Sequence, residues 1–216
     1  INTIPTKVIH LKDCFHGRTG YTMSLTDSPD IRKTQYFPKF DWPRISNPSI
    51  SFPLNDHNME ELIKKERQSI DELKEYLYKS SDEIACLIIE PIQGEGGDNH
   101  FRHEYFKELK KLSLENNFLL IYDEVQTGIG ITGKMWAHQY FEPQSNKGKE
   151  SYCKKMEPDI ICFGKKTQVC GIFAGKRLDE VDKHVFNESS RINSTFGGNL
   201  TDMVRFTMYL EIIKNE

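Results

Sequence analysis

The pattern that most limits the fold is a set of short, unbroken apolar runs. Ile84-Ala-Cys-Leu-Ile-Ile89, Phe118-Leu-Leu-Ile-Tyr122 and Ile160-Ile-Cys-Phe163 lack the polar–apolar alternation of a half-solvated strand. Such strands have both faces covered, as in a parallel sheet between layers of helix. Lys7-Val-Ile-His-Leu11 is a further strand candidate, and Gly171-Ile-Phe-Ala-Gly175 a weaker one. Between the runs the period changes. Met59, Ile63, Ile70, Leu73 and Leu77 share a helical face. So do Phe101, Tyr105, Leu109 and Leu112, and Asn116-Asn117 then punctuates the helix end. From Thr201, Met203, Val204, Met208 and Ile212 start another helix. Strand, helix, strand at this spacing predicts right-handed crossovers and an α/β fold with a mostly parallel sheet.

Two stretches break the rhythm. Residues 27–56 interleave Pro29, Pro38, Pro43, Pro48 and Pro53 with aromatic and turn residues, which predicts a long ordered loop. Residues 142–157 are polar and predict a surface insertion. The chain of 216 residues carries 29 bases against 32 acids, so it lacks the basic excess of a nucleic-acid binder. No apolar run approaches the ~20 residues of a membrane span. The scattered cysteines Cys14, Cys86, Cys153, Cys162 and Cys170 form no CxxC pair, and a reducing, cytoplasmic setting explains them most simply. No leader-like pattern opens the chain. Its first residue is Ile1 and its last residues are in mid-helix pattern, so a piece of a longer chain is expected.

In open parallel sheets, ligands bind beyond the carboxyl ends of the strands. Glu90-Pro-Ile-Gln-Gly-Glu-Gly-Gly97 follows one run, Asp123-Glu-Val-Gln-Thr-Gly128 the next, and Gly164-Lys-Lys-Thr167 the third. A Lys and an Asp so placed suit a carbonyl cofactor with a basic ring nitrogen: the Lys forms an imine and the Asp keeps the ring protonated. On spacing alone, an Asp-Glu pair meeting solvent and a surface Lys-Lys pair fit equally well. A nucleotide-hydrolase reading is weaker. Gly128-Ile-Gly-Ile-Thr-Gly-Lys-Met135 ends on Met135, which offers no hydroxyl to Mg²⁺, and it follows the acidic strand instead of preceding it. His100 and His103 lack partners at zinc-ligand spacing.

Three blocks together carry a resemblance. Phe15-His-Gly-Arg-Thr19, Glu90-Pro-Ile-Gln-Gly-Glu-Gly-Gly97 and Asp123-Glu-Val-Gln-Thr-Gly-Ile-Gly-Ile-Thr-Gly133 resemble the class III aminotransferases of pyridoxal-phosphate fold type I, in order and approximate spacing. Phe163-Gly-Lys-Lys-Thr-Gln-Val-Cys-Gly171 and Arg191-Ile-Asn-Ser-Thr-Phe-Gly-Gly-Asn-Leu-Thr-Asp202 look like the L-lysine 6-aminotransferase branch, which moves the ε-amino group of L-lysine to 2-oxoglutarate. Ornithine and 4-aminobutyrate aminotransferases are the nearest alternatives. A non-catalytic remnant that binds a partner is the alternative of another class.

The resemblance implies pyridoxal 5'-phosphate as cofactor and a role for each matching residue. Lys165, not its neighbour Lys166, matches the Schiff-base lysine, and Asp123 the partner of the ring nitrogen. Gln126 matches the contact to the phenolic oxygen, and Phe15 the aromatic stacked on the ring. Arg18 matches a substrate-carboxylate binder and Glu95 a switch glutamate that pairs with an arginine while lysine is bound, whereas Glu90 is expected to be structural. Thr195 matches a threonine reaching the partner subunit's cofactor, which implies a homodimer. Asn193 is a pocket candidate, and Gly197 and Gly198 are loop residues. The family's upstream phosphate-binding turn and its downstream small domain have no counterpart in residues 1–216. This chain therefore reads as most of the large domain, inactive by itself.

Overall fold

The computed structural model describes residues 4–141, 157–192 and 194–215. In chain order the strands are β1 (Lys7–Leu11), β2 (Arg44–Ile45), β3 (Ile84–Ile89), β4 (Ile92–Gln93), β5 (Asn99–His100), β6 (Leu119–Asp123), β7 (Ile160–Phe163) and β8 (Gly171–Ala174). The helices are α1 (Gly20–Ser24), α2 (Asp56–Ser80), α3 (His103–Glu115) and α4 (Leu200–Asn215).

Six strands form one sheet in the order β2-β1-β3-β6-β7-β8. All neighbours run parallel except β7 and β8. This bears out the α/β, mostly parallel reading. Short β4 and β5 form a separate antiparallel pair. In the main sheet Ile89 lies beside Tyr122, and Asp123 beside Cys162. That register brings the residues after β3, β6 and β7 to a common edge, so Glu90, Asp123 and Lys165 become neighbours.

The core lies between the sheet and the helices α2 and α3. Phe106, Leu109 and Leu112 of α3 meet Leu120 and Tyr122 of β6 and Leu87 and Ile89 of β3 in one buried cluster. Asn116 caps α3, and Asn117 turns the chain in the left-handed region at φ 53°. The α2 stripe departs from expectation. Leu62, Glu66, Ser69, Ile70, Leu73 and Leu77 are buried, while Met59 and Ile63 are only half-buried. Apolarity alone misplaced the face, because two polar residues are buried on it with partners. Glu66 takes both Nε and Nη2 of Arg102, and Ser69 Oγ bonds Tyr105 Oη at 2.7 Å.

The predicted loop 27–56 also holds a two-residue strand, β2, and a 3₁₀ turn at Ile31–Lys33. Pro43 and Pro48 flank β2 and confine it to the sheet edge, where a missing donor is tolerated. At the other side of β6, Asp159 closes the seam. It accepts from Lys110 Nζ at 2.7 Å, Arg177 Nη1 at 3.1 Å and the Leu120 amide at 2.7 Å. Among the described residues no helix is long and apolar enough to cross a membrane. Of the 142–157 insertion, residues 142–156 lie outside the described residues, as does Asn193.

Candidate active site

A cavity of about 370 Å³ opens at the common edge. It is lined by Phe15, His16, Gly17, Arg18, Glu90, Glu95, Asp123, Val125, Gln126 and Lys165. The structure thus gathers Lys165, Asp123, Gln126, Phe15, Arg18 and Glu95 around one space. Thr195 is exposed and is not among the lining residues. A larger cavity of about 630 Å³, between Met59, Phe101 and Phe141, holds none of the predicted site residues.

Lys165 begins the turn after β7 with φ 53°, in the left-handed region. A non-glycine residue there carries roughly 1–3 kcal/mol of strain, a cost that functional sites often retain. Its Nζ donates to Gln126 Oε1 at 2.7 Å. Lys166 is half-buried and points elsewhere, donating to the Gln126 carbonyl oxygen at 2.5 Å. Burial, then the neighbouring Lys165 charge, hold the Lys166 amine below its ordinary range. Gly94 makes room for Gln126, since a Cβ there would collide with its amide.

Asp123 ends β6 and is held on both oxygens. Oδ1 accepts from the Val125 amide at 3.1 Å, and Oδ2 from His16 Nδ1 at 2.8 Å. Burial opposes the His16 charge, but the hydrogen bonds to Asp123 and Cys14 outweigh it and push the imidazole up to about 10. The His16–Asp123 hydrogen bond fixes the orientation of the Asp123 side chain at the cavity. Sequence reasoning assigned His16 no role. It sits inside the Phe15–Thr19 block, but only the fold shows that it reaches a residue 107 positions away. Val125, which lines the cavity, was missed too. Its place two residues after Asp123 was the available signal.

Neighbouring carboxylates brace the loops. Glu90 is buried and accepts from the Phe15 amide at 2.9 Å and the Gly94 amide at 3.3 Å. Burial raises its carboxyl above the ordinary range, with His16 opposing. Glu124 is fully buried and accepts from the Ala137 amide, from the His138 amide and ring, and from Thr127. Burial would raise it, but the hydrogen bonds from His138 and Thr127 bring it below the ordinary range. This carboxylate ties down the turn 124–138, which contains the stretch 128–135 weighed for a nucleotide hydrolase. Lys134 donates to the Gln139 carbonyl and lies 4.3 Å from the Tyr140 ring centre. At the cavity mouth Arg18 sits over the Phe15 ring at 5.4 Å, and Glu95 pairs with Lys33 at 2.6 Å. Among the described residues, the charged partner that Glu95 meets within hydrogen-bond reach is Lys33.

The family profile for class III aminotransferases matches residues 2–216. The chain belongs to the class III aminotransferases. It is 49% identical to the L-lysine-epsilon aminotransferase of Mycobacterium tuberculosis over 212 residues, covering 98% of this chain and 43% of that protein. It is 48% identical to that of Streptomyces clavuligerus over 211 residues, covering 96% and 42%. The 4-aminobutyrate aminotransferase of Emericella nidulans is 37% identical over 168 residues, covering 78% and 31%. The solved lysine aminotransferase of M. tuberculosis in its internal aldimine form superposes with a TM-score of 0.86 at 47% identity, over 98% of this chain and 45% of that one. The chain therefore spans less than half the length of the curated relatives it matches.

Pyridoxal 5'-phosphate is the cofactor of this family. The donor set fits it: an amine at Lys165, a carboxyl group at Asp123 held by His16, an amide at Gln126, and Phe15 with Val125 lining the same cavity.

Proposed function

We propose that the protein containing this chain is a pyridoxal-phosphate-dependent L-lysine 6-aminotransferase that passes the ε-amino group of L-lysine to 2-oxoglutarate. One observation carries the reading. Lys165 and Asp123, from separate strand ends, line one cavity in a chain that is 49% identical to a lysine-epsilon aminotransferase and 37% identical to a 4-aminobutyrate aminotransferase. The products would be glutamate and 2-aminoadipate 6-semialdehyde.

When bound, the cofactor supplies a carbonyl that condenses with amines and a ring that accepts the electron pair freed at the substrate carbon. The chain's own residues do the rest. Asp123 would hold the ring-nitrogen proton, and His16 holds the Asp123 side chain in position. Lys165 Nζ would hold the cofactor's carbonyl carbon and would carry the proton taken from the substrate carbon. Gln126 positions Nζ and would hold the cofactor's phenolic oxygen. Phe15 supplies a ring face, and Glu90 holds the Phe15 amide. Arg18 offers a planar fork to a substrate carboxylate, and Glu95 answers the difference between lysine and a dicarboxylate. Asn193 is assigned to the substrate pocket by resemblance.

The assembly is read as a homodimer in which Thr195 reaches the partner's cofactor. The exposure of Thr195 and of the apolar side chains of α4 supports this. A cytoplasmic location accords with the unpaired Cys14, Cys86, Cys162 and Cys170. The domain reading places residues 1–216 in the cofactor-binding large domain.

The test uses the protein extended through both flanks and loaded with cofactor. L-lysine, with no keto acid present, is expected to bleach the cofactor absorbance and L-ornithine to leave it. Bleaching by ornithine alone would replace the substrate assignment. Lys165→Ala is expected to abolish the lysine-dependent change. Absence of any cofactor band in the wild type would leave the non-catalytic remnant.

A further inference from the structure

Of the two adjacent lysines after β7, Lys165 lines the cavity and Lys166 does not. Both amines nevertheless end on one residue. Lys165 Nζ donates to the Gln126 side-chain oxygen at 2.7 Å, and Lys166 Nζ to the Gln126 main-chain carbonyl at 2.5 Å. Gln126 lies 39 and 40 positions back in the chain, in the turn after β6. The pair therefore ties the turn after β7 to the turn after β6, one lysine on the side chain of Gln126 and the other on its backbone.

Each turn is anchored apart from that tie. Thr167 is fully buried, its Oγ1 donates to the Val169 carbonyl at 2.5 Å, and the Gln168 amide closes the turn on the Lys165 carbonyl at 3.0 Å. In the other turn, the Gly128 amide donates to the carbonyl of the fully buried Glu124 at 2.9 Å. Lys166 bears on the main chain between those points. Its ammonium faces Lys165, which repels it, and Glu124, which attracts it. A peptide group released from Lys166 can rotate, and the Gln126 side chain turns with it. The amide then reaches Lys165 Nζ for only part of the time.

We propose that Lys166 is a positioning residue for Lys165: by holding the Gln126 carbonyl it aims the Gln126 amide at Lys165 Nζ and at the cofactor's phenolic oxygen. This rests on the pyridoxal-phosphate reading given above. A hydrogen bond donated to that oxygen favours its anionic form. A Gln126 that has lost its aim therefore lets the cofactor keep its proton to higher pH. A residue that merely braced the fold would lower stability and leave that pH unmoved.

The experiment uses the full-length protein as wild type, Lys166→Met, Lys166→Arg, Gln126→Ala and the Lys166→Met/Gln126→Ala double variant. In the cofactor-free protein, Lys166→Met is expected to speed hydrogen exchange of peptides over residues 124–128 about two- to tenfold, the range of one lost hydrogen bond. In the loaded protein without substrate, it should raise the pH midpoint of the cofactor absorbance by about 0.5–1 pH unit. The kcat with L-lysine should fall about two- to tenfold at unchanged KM, because Lys166 lines no part of the cavity. Lys166→Arg, which keeps the charge and a donor, should bring the midpoint back toward wild type. In the Gln126→Ala background, Lys166→Met should move the midpoint less than about half as far, because it acts through Gln126. A midpoint shift that survives whole in that background would be a direct effect of charge and would overturn the proposal. Unchanged exchange, an unchanged midpoint, or a loss confined to KM would overturn it as well. Absence of a cofactor band in the wild type would instead overturn the cofactor reading, and the exchange rates would still show whether Lys166 pins the Gln126 turn.

Discussion

Helix α3 buries Tyr105, Phe106, Leu109 and Leu112, whereas α4, richer in apolar residues, buries none of its side chains. Leu200, Val204, Met208 and Ile212 all stand in solvent, and Phe206 reaches back only to stack on Phe163 at 5.5 Å. The difference lies in how the apolar residues are distributed. On α3 they form one stripe opposed by charge, so one sheet face satisfies the helix. On α4 they spread around the axis, and such a helix is satisfied only when protein covers more than one side. The same contrast runs through the strands they accompany. Leu87, Leu120 and Tyr122 are fully buried in β3 and β6, while Ile172 and Phe173 of β8 are exposed. The cavity lies between these two regions, taking Asp123 from the closed side and Lys165 from the open one.

Substitutions in the complete protein test that contrast. Phe106→Ala, in the closed region, is expected to cost about 3–5 kcal/mol, read as a shift in the urea midpoint. A cost below about 1 kcal/mol would break the comparison. Asp159→Ala cuts the seam between the regions and leaves the buried Lys110 ammonium and the Leu120 amide without this partner. About 3–5 kcal/mol is expected, and Asp159→Asn should recover only part of it.

The His16–Asp123 pair predicts a pH dependence. The folded value of His16, about 10, lies above the ordinary 6.5. Its stabilisation is therefore whole below 6.5 and is lost as pH rises through about 10. His16→Gln should flatten the stability profile across that window. An unchanged slope would remove the charged His16 from the account. The smallest effect is expected at Met208→Ala, under about 0.5 kcal/mol if α4 stays as exposed as it is here. A cost near 2 kcal/mol would mean that further protein covers the helix, and would sharpen the case for a dimer.

Much of this was legible in advance because it rests on local pattern. The apolar runs at residues 84–89 and 160–163 became β3 and β7, and the Phe101, Tyr105, Leu109 and Leu112 face became the buried side of α3 and its approach. The site residues after each strand were legible because a parallel sheet collects its strand ends at one edge. Other features depended on partners remote in the chain. The α2 face was misread because Glu66 is buried only through Arg102, and β2 was hidden among prolines. Lys33 gave no sign of its contact with Glu95, which lies 62 positions further along the chain.

The chain's sequence by itself determined the central strands, their mostly parallel run and the chemical types at the carboxyl edge. Those follow from hydrophobic period and from residues adjacent in the chain. Only the tertiary structure decided which polar groups meet: His16 with Asp123, Lys165 with Gln126, Lys33 with Glu95, and Lys110 with Arg177 at Asp159. The reason is physical. The element that an apolar run forms depends on its own local pattern, while the state of an ionisable group depends on the particular partner and solvent exposure that the completed fold imposes.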